Sequence, residues 1–352
     1  MSFRAHQAKP DNDQNNMTYF LIKAADEYLI WILLALSLIF VTSVSSSFFS
    51  KENLFNLALN STVLGILVIA ESLCLMLGKF DLSIESTLAF SALIGAILVK
   101  NNVNPVVAMS AVLAVGALIG LLNGIFIVKF GVNPFMQTLS MNIVFRGLML
   151  VLTGGITMFN FPEPYRFFGA AEILGFPVPI ITLILLYLVF IILLEKRKWG
   201  RRLYFVGSNE RAAFASGINV RKVNMQVFVL AGLLAAFAGL IASTRFNGVD
   251  NNLAKGQVFE VFAAAVMGGV SLNGGRGRLL GAIGGVLFLG CVSSILTWLN
   301  VSAFAVQTVR GCIILFAVLL DAMKNTMREK LLLPRKAAGN ELKTSGSGSN
   351  PN

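Results

Sequence analysis

Histidine, cysteine and acidic side chains are scarce in this chain of 352 residues, which has one histidine, three cysteines and 17 Asp or Glu. The histidine is His6, and the cysteines are Cys74, Cys291 and Cys312, all within apolar runs. The sequence therefore shows no His/Cys/Asp/Glu cluster with metal-ligand spacing and no nucleophile–base pair. We expect no metal, no cofactor, no disulfide and no catalytic site.

A phosphate-binding loop is also missing, because the pattern G-x-x-x-x-G-K-[ST] does not occur. The glycine-rich segment 268–281 does not replace it, since dinucleotide-binding loops join a strand to a helix and no strand pattern surrounds this segment. Nor is there a basic, aromatic-interleaved face for nucleic acid. If ATP drives this protein, a separate subunit must bind it.

Apolar sequence is abundant: 56% of the residues are hydrophobic, 13% are charged and the mean hydropathy is +0.77. Apolar runs of about 17–25 residues, long enough to cross ~30 Å of hydrocarbon, recur along the chain. The sequence predicts an all-α polytopic membrane protein with about ten transmembrane helices. The predicted spans are 29–48, 54–77, 82–99, 105–128, 134–153, 177–194, 225–244, 257–272, 279–298 and 302–321.

The basic residues predict the orientation of these spans. With both termini cytoplasmic, 21 of the 28 Lys and Arg lie inside, as the positive-inside bias requires. The five outside are Lys51, Lys100, Arg166, Arg245 and Lys255. We predict a disordered cytoplasmic tail at residues 1–27, a transmembrane domain at 28–322 with a cytoplasmic loop at 195–224, and a cytoplasmic tail at 323–352.

Two glycine-containing segments interrupt the apolar runs, GKFDLS at 78–83 and GGVSLNGGRGRLLG at 268–281. They are partly alike, since Gly78 and Leu82 align with Gly268 and Leu272. Matched interruptions in two halves of a chain point to the substrate region of a transporter. We predict glycine-broken helices and an internal repeat, although two breaks on the cytoplasmic side fit poorly with a simple inverted repeat.

Polar side chains within the predicted spans are costly in lipid, so they should face the bundle interior or a wet cavity. Arg146 and Arg310 also fall within spans. These side chains could line a polar pathway for a hydrophilic solute. The alternatives are that they pair with one another between helices or snorkel to a nearby membrane interface. The candidate pathway residues are Asn60, Glu71, Asp81, Gln137, Asn142, Glu260 and Gln307.

The loop at 195–224 is the largest polar island between the apolar runs, and it carries eight Lys or Arg. An amphipathic segment at 209–216, followed by Gly217, predicts a short helix with small residues at Ala212, Ala213 and Ser216. Basic loops are often only membrane-surface anchors. A short helix with a small-residue face, however, is better suited to a groove in another protein.

GRRLYFVGSNERAAFASGINVRKV, within this loop, closely resembles the cytoplasmic loop of permease subunits from the ribose-type branch of bacterial ABC sugar importers. The family's GGIDLS element corresponds to residues 78–83, and its AAVVxGGTSLxGGxG element to 263–277. The resemblance spans roughly residues 50–322. Lys79 in place of the second glycine and Glu85 in place of a later one depart from the family pattern and leave the solute open.

The resemblance implies a permease of the bacterial inner membrane that imports a small hydrophilic solute, first of all a monosaccharide such as ribose. It implies cytoplasmic ATP-binding subunits, an extracytoplasmic solute-binding protein and a second permease chain, identical or not, all assembled in membrane lipid. An ion-coupled carrier using Glu71 or Glu260, or an importer of a non-sugar solute, are the alternatives. By resemblance, the residues that couple to the ATPase are Gly207, Asn209, Ala212, Ala213, Ser216 and Gly217.

Overall fold

The computed structural model describes residues 28–43, 46–299 and 301–332. The predicted N-terminal tail and residues 333–352 of the predicted C-terminal tail lie outside these ranges. The helices, numbered in chain order, are α1 Tyr28–Ser43, α2 Lys51–Met76, α3 Ile84–Lys100, α4 Pro105–Val128, α5 Pro134–Thr153, α6 Phe167–Ala170, α7 Val178–Glu195, α8 Lys198–Ser208, α9 Glu210–Ala215, α10 Val220–Phe246, α11 Gln257–Met267, α12 Leu279–Trp298 and α13 Ala303–Leu332.

Each predicted apolar stretch coincides with a helix, but the helices are unequal. Among the described residues, six helices are long and apolar enough to cross a membrane, namely α2, α4, α5, α7, α10 and α12. α11 has only 11 residues, because it starts after Gly256, at φ 81°, and ends at Gly268. The chain is a multi-helix membrane protein, while the count of ten spans and the internal repeat remain predictions.

The all-α expectation needs one amendment, because short strands occur in the described loops. Met158–Phe159 (β1) pairs antiparallel with Gly248–Val249 (β4) and so joins the loops that follow α5 and α10. Glu172–Ile173 (β2) pairs with Phe176–Pro177 (β3) across a two-residue turn. Both turn residues, Leu174 and Gly175, have positive φ, as a tight hairpin requires.

The ends of several helices follow from local sequence. Asn104 and Asn133 accept hydrogen bonds from the first-turn backbone of α4 and α5, and each precedes a proline in the first turn. An Asn cap followed by Pro is a strong helix start, because the cap satisfies a free N–H and Pro has none to lose. Asn219 caps α10 as well, because its side chain accepts a hydrogen bond from the Lys222 amide, although Val220 and not a proline follows it.

The centre of the bundle is built on α2 and α10, the two most buried of the six candidate spans. α4 packs closely on α10 through glycines spaced by four residues. A Cβ atom on Gly116 would lie 2.4 Å from the carbonyl oxygen of Gly232, and one on Gly120 would lie 2.2 Å from that of Phe228. Small residues at this spacing let two membrane helices bring their backbones together.

Candidate functional site

The central loop folds into α8 and α9, with the predicted short helix in place at Glu210–Ala215. Asn209 caps it, because its Oδ1 accepts a hydrogen bond from the Ala212 amide at 3.0 Å. Gly217, at φ 76°, follows the helix and turns the chain toward α10. The local signals therefore predicted this element well, although its contact with an ATPase stays a prediction.

The exposed face of α9 differs from the small-residue face that the sequence suggested. Ala213 is completely buried in the hydrophobic core, so its expected contact with a partner is corrected to a contact within this chain. Ala212, Ser216 and Gly217 are exposed. The sequence analysis missed Phe214, which is 76% exposed, although a large apolar side chain in a polar loop was a visible signal.

Gly207 lies inside a junction of three segments, which we define as residues 76–79, 204–208 and 273–277. A Cβ atom on Gly207 would lie 1.9 Å from the Met76 carbonyl oxygen, so only glycine fits there. The Gly275 amide donates to the same Met76 oxygen at 2.8 Å. The end of α2, the end of α8 and the second glycine break are therefore in backbone contact, and Gly207 acts as a spacer within this chain.

The same junction brings the two glycine breaks against each other. A Cβ atom on Gly274 would lie 2.7 Å from the amide nitrogen of Gly78. The Tyr204 hydroxyl on α8 donates to the Gly277 carbonyl at 2.8 Å. Burial, with the nearby Glu195 carboxylate, raises the pKa of Tyr204 to about 12, so the hydroxyl keeps its proton and remains a donor.

Lys79, which departs from the family pattern, connects the first break to α9. Its Nζ lies 2.8 Å from Oε1 of Glu210. The Asn224 side-chain amide donates to the same oxygen at 3.2 Å. Partial burial disfavours the Glu210 carboxylate, but the hydrogen bond and charge of Lys79 outweigh it and hold the pKa of Glu210 below its usual range. Glu210 is therefore ionised at neutral pH.

Glu71 and Asp81 lie in a buried polar network inside the bundle, and their place in the substrate pathway stays a prediction. Each is only 2% exposed. The Asp81 amide donates to Glu71 Oε1 at 3.4 Å, and the Ser83 hydroxyl donates to Asp81. The Asn123 side chain on α4 donates to Ser83 Oγ at 2.8 Å. The network links the first break to α2 and α4, and the surrounding helices bury it.

Asn60 and Glu260, by contrast, share a polar pocket of about 360 Å³ between α2, α11 and α12. α12 contributes Ser293, Ser294 and Thr297 to its wall. Arg245 on α10 donates to Oδ1 of Asn60 at 2.7 Å and orients that amide. The side chains from α2 and α11 that complete this polar pocket are Asn53, Asn56, Asn60, Ser61, Gln257 and Glu260.

The remaining candidates lie elsewhere. Gln137 and Asn142 are half-buried on α5 and do not line the polar pocket. Oδ1 of Asn142 is buried and finds no hydrogen-bond partner in the described part of the chain. The side chains of Gln307 and Arg310 lie outside that part. Arg146 forms an ion pair with Glu85, so the structural alternative holds for this arginine.

Comparison with known proteins identifies the family. The family described as "Branched-chain amino acid transport system / permease component" matches residues 53–318. The ribose import permease of Bacillus subtilis is 38% identical over 289 residues, which cover 82% of this chain and 90% of that protein. The L-arabinose ABC transporter permease of Azospirillum brasilense is 33% identical, covering 81% of this chain and 84% of that protein.

The D-allose permease of Escherichia coli is 30% identical, with 85% of this chain and 92% of that protein covered. No solved structure matches the chain. The matched residues include both glycine breaks, the junction and α9. The chain therefore belongs to the family of permease subunits of ribose-type ABC sugar importers.

Proposed function

We propose that this chain is the membrane subunit of an ATP-driven importer and forms the translocation pathway for a monosaccharide. The relatives are named for ribose, L-arabinose and D-allose, three neutral sugars of similar size. The amide and hydroxyl groups of the polar pocket have the hydrogen-bonding chemistry that such solutes need. The importer lies in the bacterial inner membrane with both termini of this chain cytoplasmic.

The proposal that ATP drives transport is supported by the packing of α8 and α9 onto the junction, where both glycine breaks meet. A force applied to α9 reaches Met76 and Gly275 through rigid backbone contacts around Gly207. Because packed backbones do not deform continuously, movement of α9 moves the breaks with it. This arrangement suits an external motor that works from the cytoplasmic side.

The motor is a pair of separate ATP-binding subunits that dock on α9. Beside α9 lies an open groove of about 1040 Å³, lined in part by Arg211, Phe214 and Arg221. An exposed aromatic side chain flanked by arginines is typical of an interface anchor. A second permease chain completes the pathway, and an extracytoplasmic binding protein delivers the sugar.

Reconstitution tests this function directly. The chain is purified with its ATP-binding subunit and placed in proteoliposomes with the binding protein, and uptake of radiolabelled D-ribose, L-arabinose and D-allose is measured. We expect uptake of at least one of these sugars, and this uptake should require ATP on the α9 side of the membrane. Uptake by this chain alone, driven by a pH gradient, would instead favour the ion-coupled carrier.

A further inference from the structure

We infer that the polar pocket between α2, α11 and α12 is a solute-binding site of this permease and takes a neutral polyhydroxylated molecule of monosaccharide size. This inference rests on the proposed function and deepens it, because it places the sugar at named side chains. Its volume, about 360 Å³, lies at the lower end of the range for small-molecule sites.

The α2 wall of the pocket is a stripe of amides on one helical face. Asn53 and Asn60 are seven residues apart, close to two full turns, and Asn56 lies between them. An Asn side chain has two donors and two acceptor lone pairs, the mixture that sugar hydroxyls require. Asn53 uses a donor on the Phe48 carbonyl and Asn60 accepts from Arg245, so part of each amide remains for a solute. Asn56 and Asn60 fall within the predicted span 54–77, where amides facing lipid would be unfavourable, so this face is suited to a wet cavity or a bound solute.

Two polar atoms in the wall of the pocket, Ser61 Oγ and Gln257 Oε1, have no hydrogen-bond partner among the described residues. Ser61 is 2% exposed, and both its hydroxyl oxygen and the Gln257 Oε1 atom are buried. Buried polar groups are almost always satisfied in native proteins. A sugar hydroxyl can donate to Gln257 Oε1, and another can pair with the Ser61 hydroxyl, so both groups point to a ligand with several hydroxyls.

Gly290 on α12 keeps the space beside Ser61 open. A Cβ atom at this position would lie 2.7 Å from the Ser61 Oγ atom. Leu57, Leu64 and Leu289 add apolar wall to the same pocket. A monosaccharide has both hydroxyl edges and C–H faces, and this pocket presents polar and apolar surface to match both.

The pocket is also connected to the first glycine break. Gln257 and Glu260 sit on the first turn of α11, and the Val258 amide in that turn donates to Oε2 of Glu85 at 3.3 Å. Glu85 lies on the first turn of α3, directly after the break at 78–83. A movement of the break therefore shifts the α11 side chains that line the pocket.

The first test removes the unpartnered acceptor. Gln257→Leu is close to the same size, so a purely structural role predicts unchanged or increased thermal stability and normal uptake. A binding role predicts that uptake by the reconstituted importer, with D-ribose, L-arabinose and D-allose as probes, falls roughly tenfold. Co-purification of the ATP-binding subunit should not change. Normal uptake by Gln257→Leu would overturn the inference.

The second test fills the pocket with Gly290→Val, and Gly147→Val on α5 is the matched control, because a Cβ atom there meets nothing within 4 Å. We expect Gly290→Val to reduce uptake of all three sugars while the complex still assembles, and Gly147→Val to transport normally. Full uptake by Gly290→Val would also overturn the inference. If the unmodified importer shows no ATP-dependent sugar uptake, the proposed function itself fails, which is distinct from normal uptake by the variants.

Discussion

Nη2 of Arg146 lies 3.4 Å from Oε1 of Glu85, and both side chains are mostly buried. Arg146 also donates to the carbonyl oxygens of Asn251 and Leu253, at 3.2 and 2.9 Å. The pair thus links α5 to α3 and holds the loop that precedes α11. Glu85, which departs from the family pattern, and Arg146, a charge within a predicted span, therefore form one ion pair.

This pair predicts an asymmetric stability effect. Arg146→Leu leaves the Glu85 carboxylate buried without its partner, and breaking such a pair typically lowers stability by about 3–5 kcal/mol. Arg146→Leu combined with Glu85→Gln removes both charges, keeps an acceptor for the Val258 amide and should recover much of that loss. Thermal unfolding of the purified variants in detergent checks this. A double variant no more stable than Arg146→Leu would show that the ion pair is not the source of the effect.

The Lys79–Glu210 pair predicts a charge-swap rescue. Because Glu210 is half-exposed, the pair contributes little to stability, so single variants should fold. We expect Lys79→Glu to lower uptake per ATP hydrolysed by about fivefold or more, since it repels α9 from the first break. Lys79→Glu with Glu210→Lys should restore uptake. Lys129→Glu, on the same predicted side but not paired with Glu210, is the control, and an unrescued double variant would argue against the link.

Phe214 predicts where the ATP-binding subunit binds. Its side chain is 76% exposed, so Phe214→Ala should leave the fold intact and weaken co-purification of that subunit, as loss of an aromatic anchor does at interfaces. Phe246→Ala, at a position 65% exposed and at the opposite end of α10 from the groove, is the control and should co-purify normally. Equal recovery of the ATP-binding subunit with both variants would place its contact elsewhere. Ala213→Trp is not equivalent, because it overpacks the core of this chain.

Glu71 separates the importer from the ion-coupled carrier. Its Oε1 atom accepts from the Asp81 amide, and Glu71→Gln keeps an acceptor oxygen at similar volume. We therefore expect Glu71→Gln to retain substantial uptake and Glu71→Leu to lose most of it, since the Asp81 amide is then left unpaired. Radiolabelled sugar uptake at matched expression is the measurement. Complete loss in both variants, with the ATPase complex intact, would favour a carboxylate that carries an ion.

Local sequence was sufficient for the elements of this protein. The length of each apolar run placed a helix in every predicted stretch, Asn209 and Gly217 marked the two ends of α9, and the glycines at 78 and 268 marked the ends of α2 and α11. These features depend on hydrogen bonds and backbone angles within a few residues, so a single sequence contains them. The three linked motifs also identified the family, because their order and spacing along the chain are specific.

The pairings between distant residues were decided only by the tertiary structure. Lys79 meets Glu210 across 131 positions, and Asn60, Glu260 and Thr297 meet in one pocket from three helices. Helical periodicity says which residues share a face but not which neighbour covers that face. For this reason Glu71 and Asp81, polar residues that suggested a pathway, were covered by neighbouring helices, and Ala213 faced inward while Phe214 faced out. Packing between elements remote in sequence selects among these alternatives, and no local pattern contains that information.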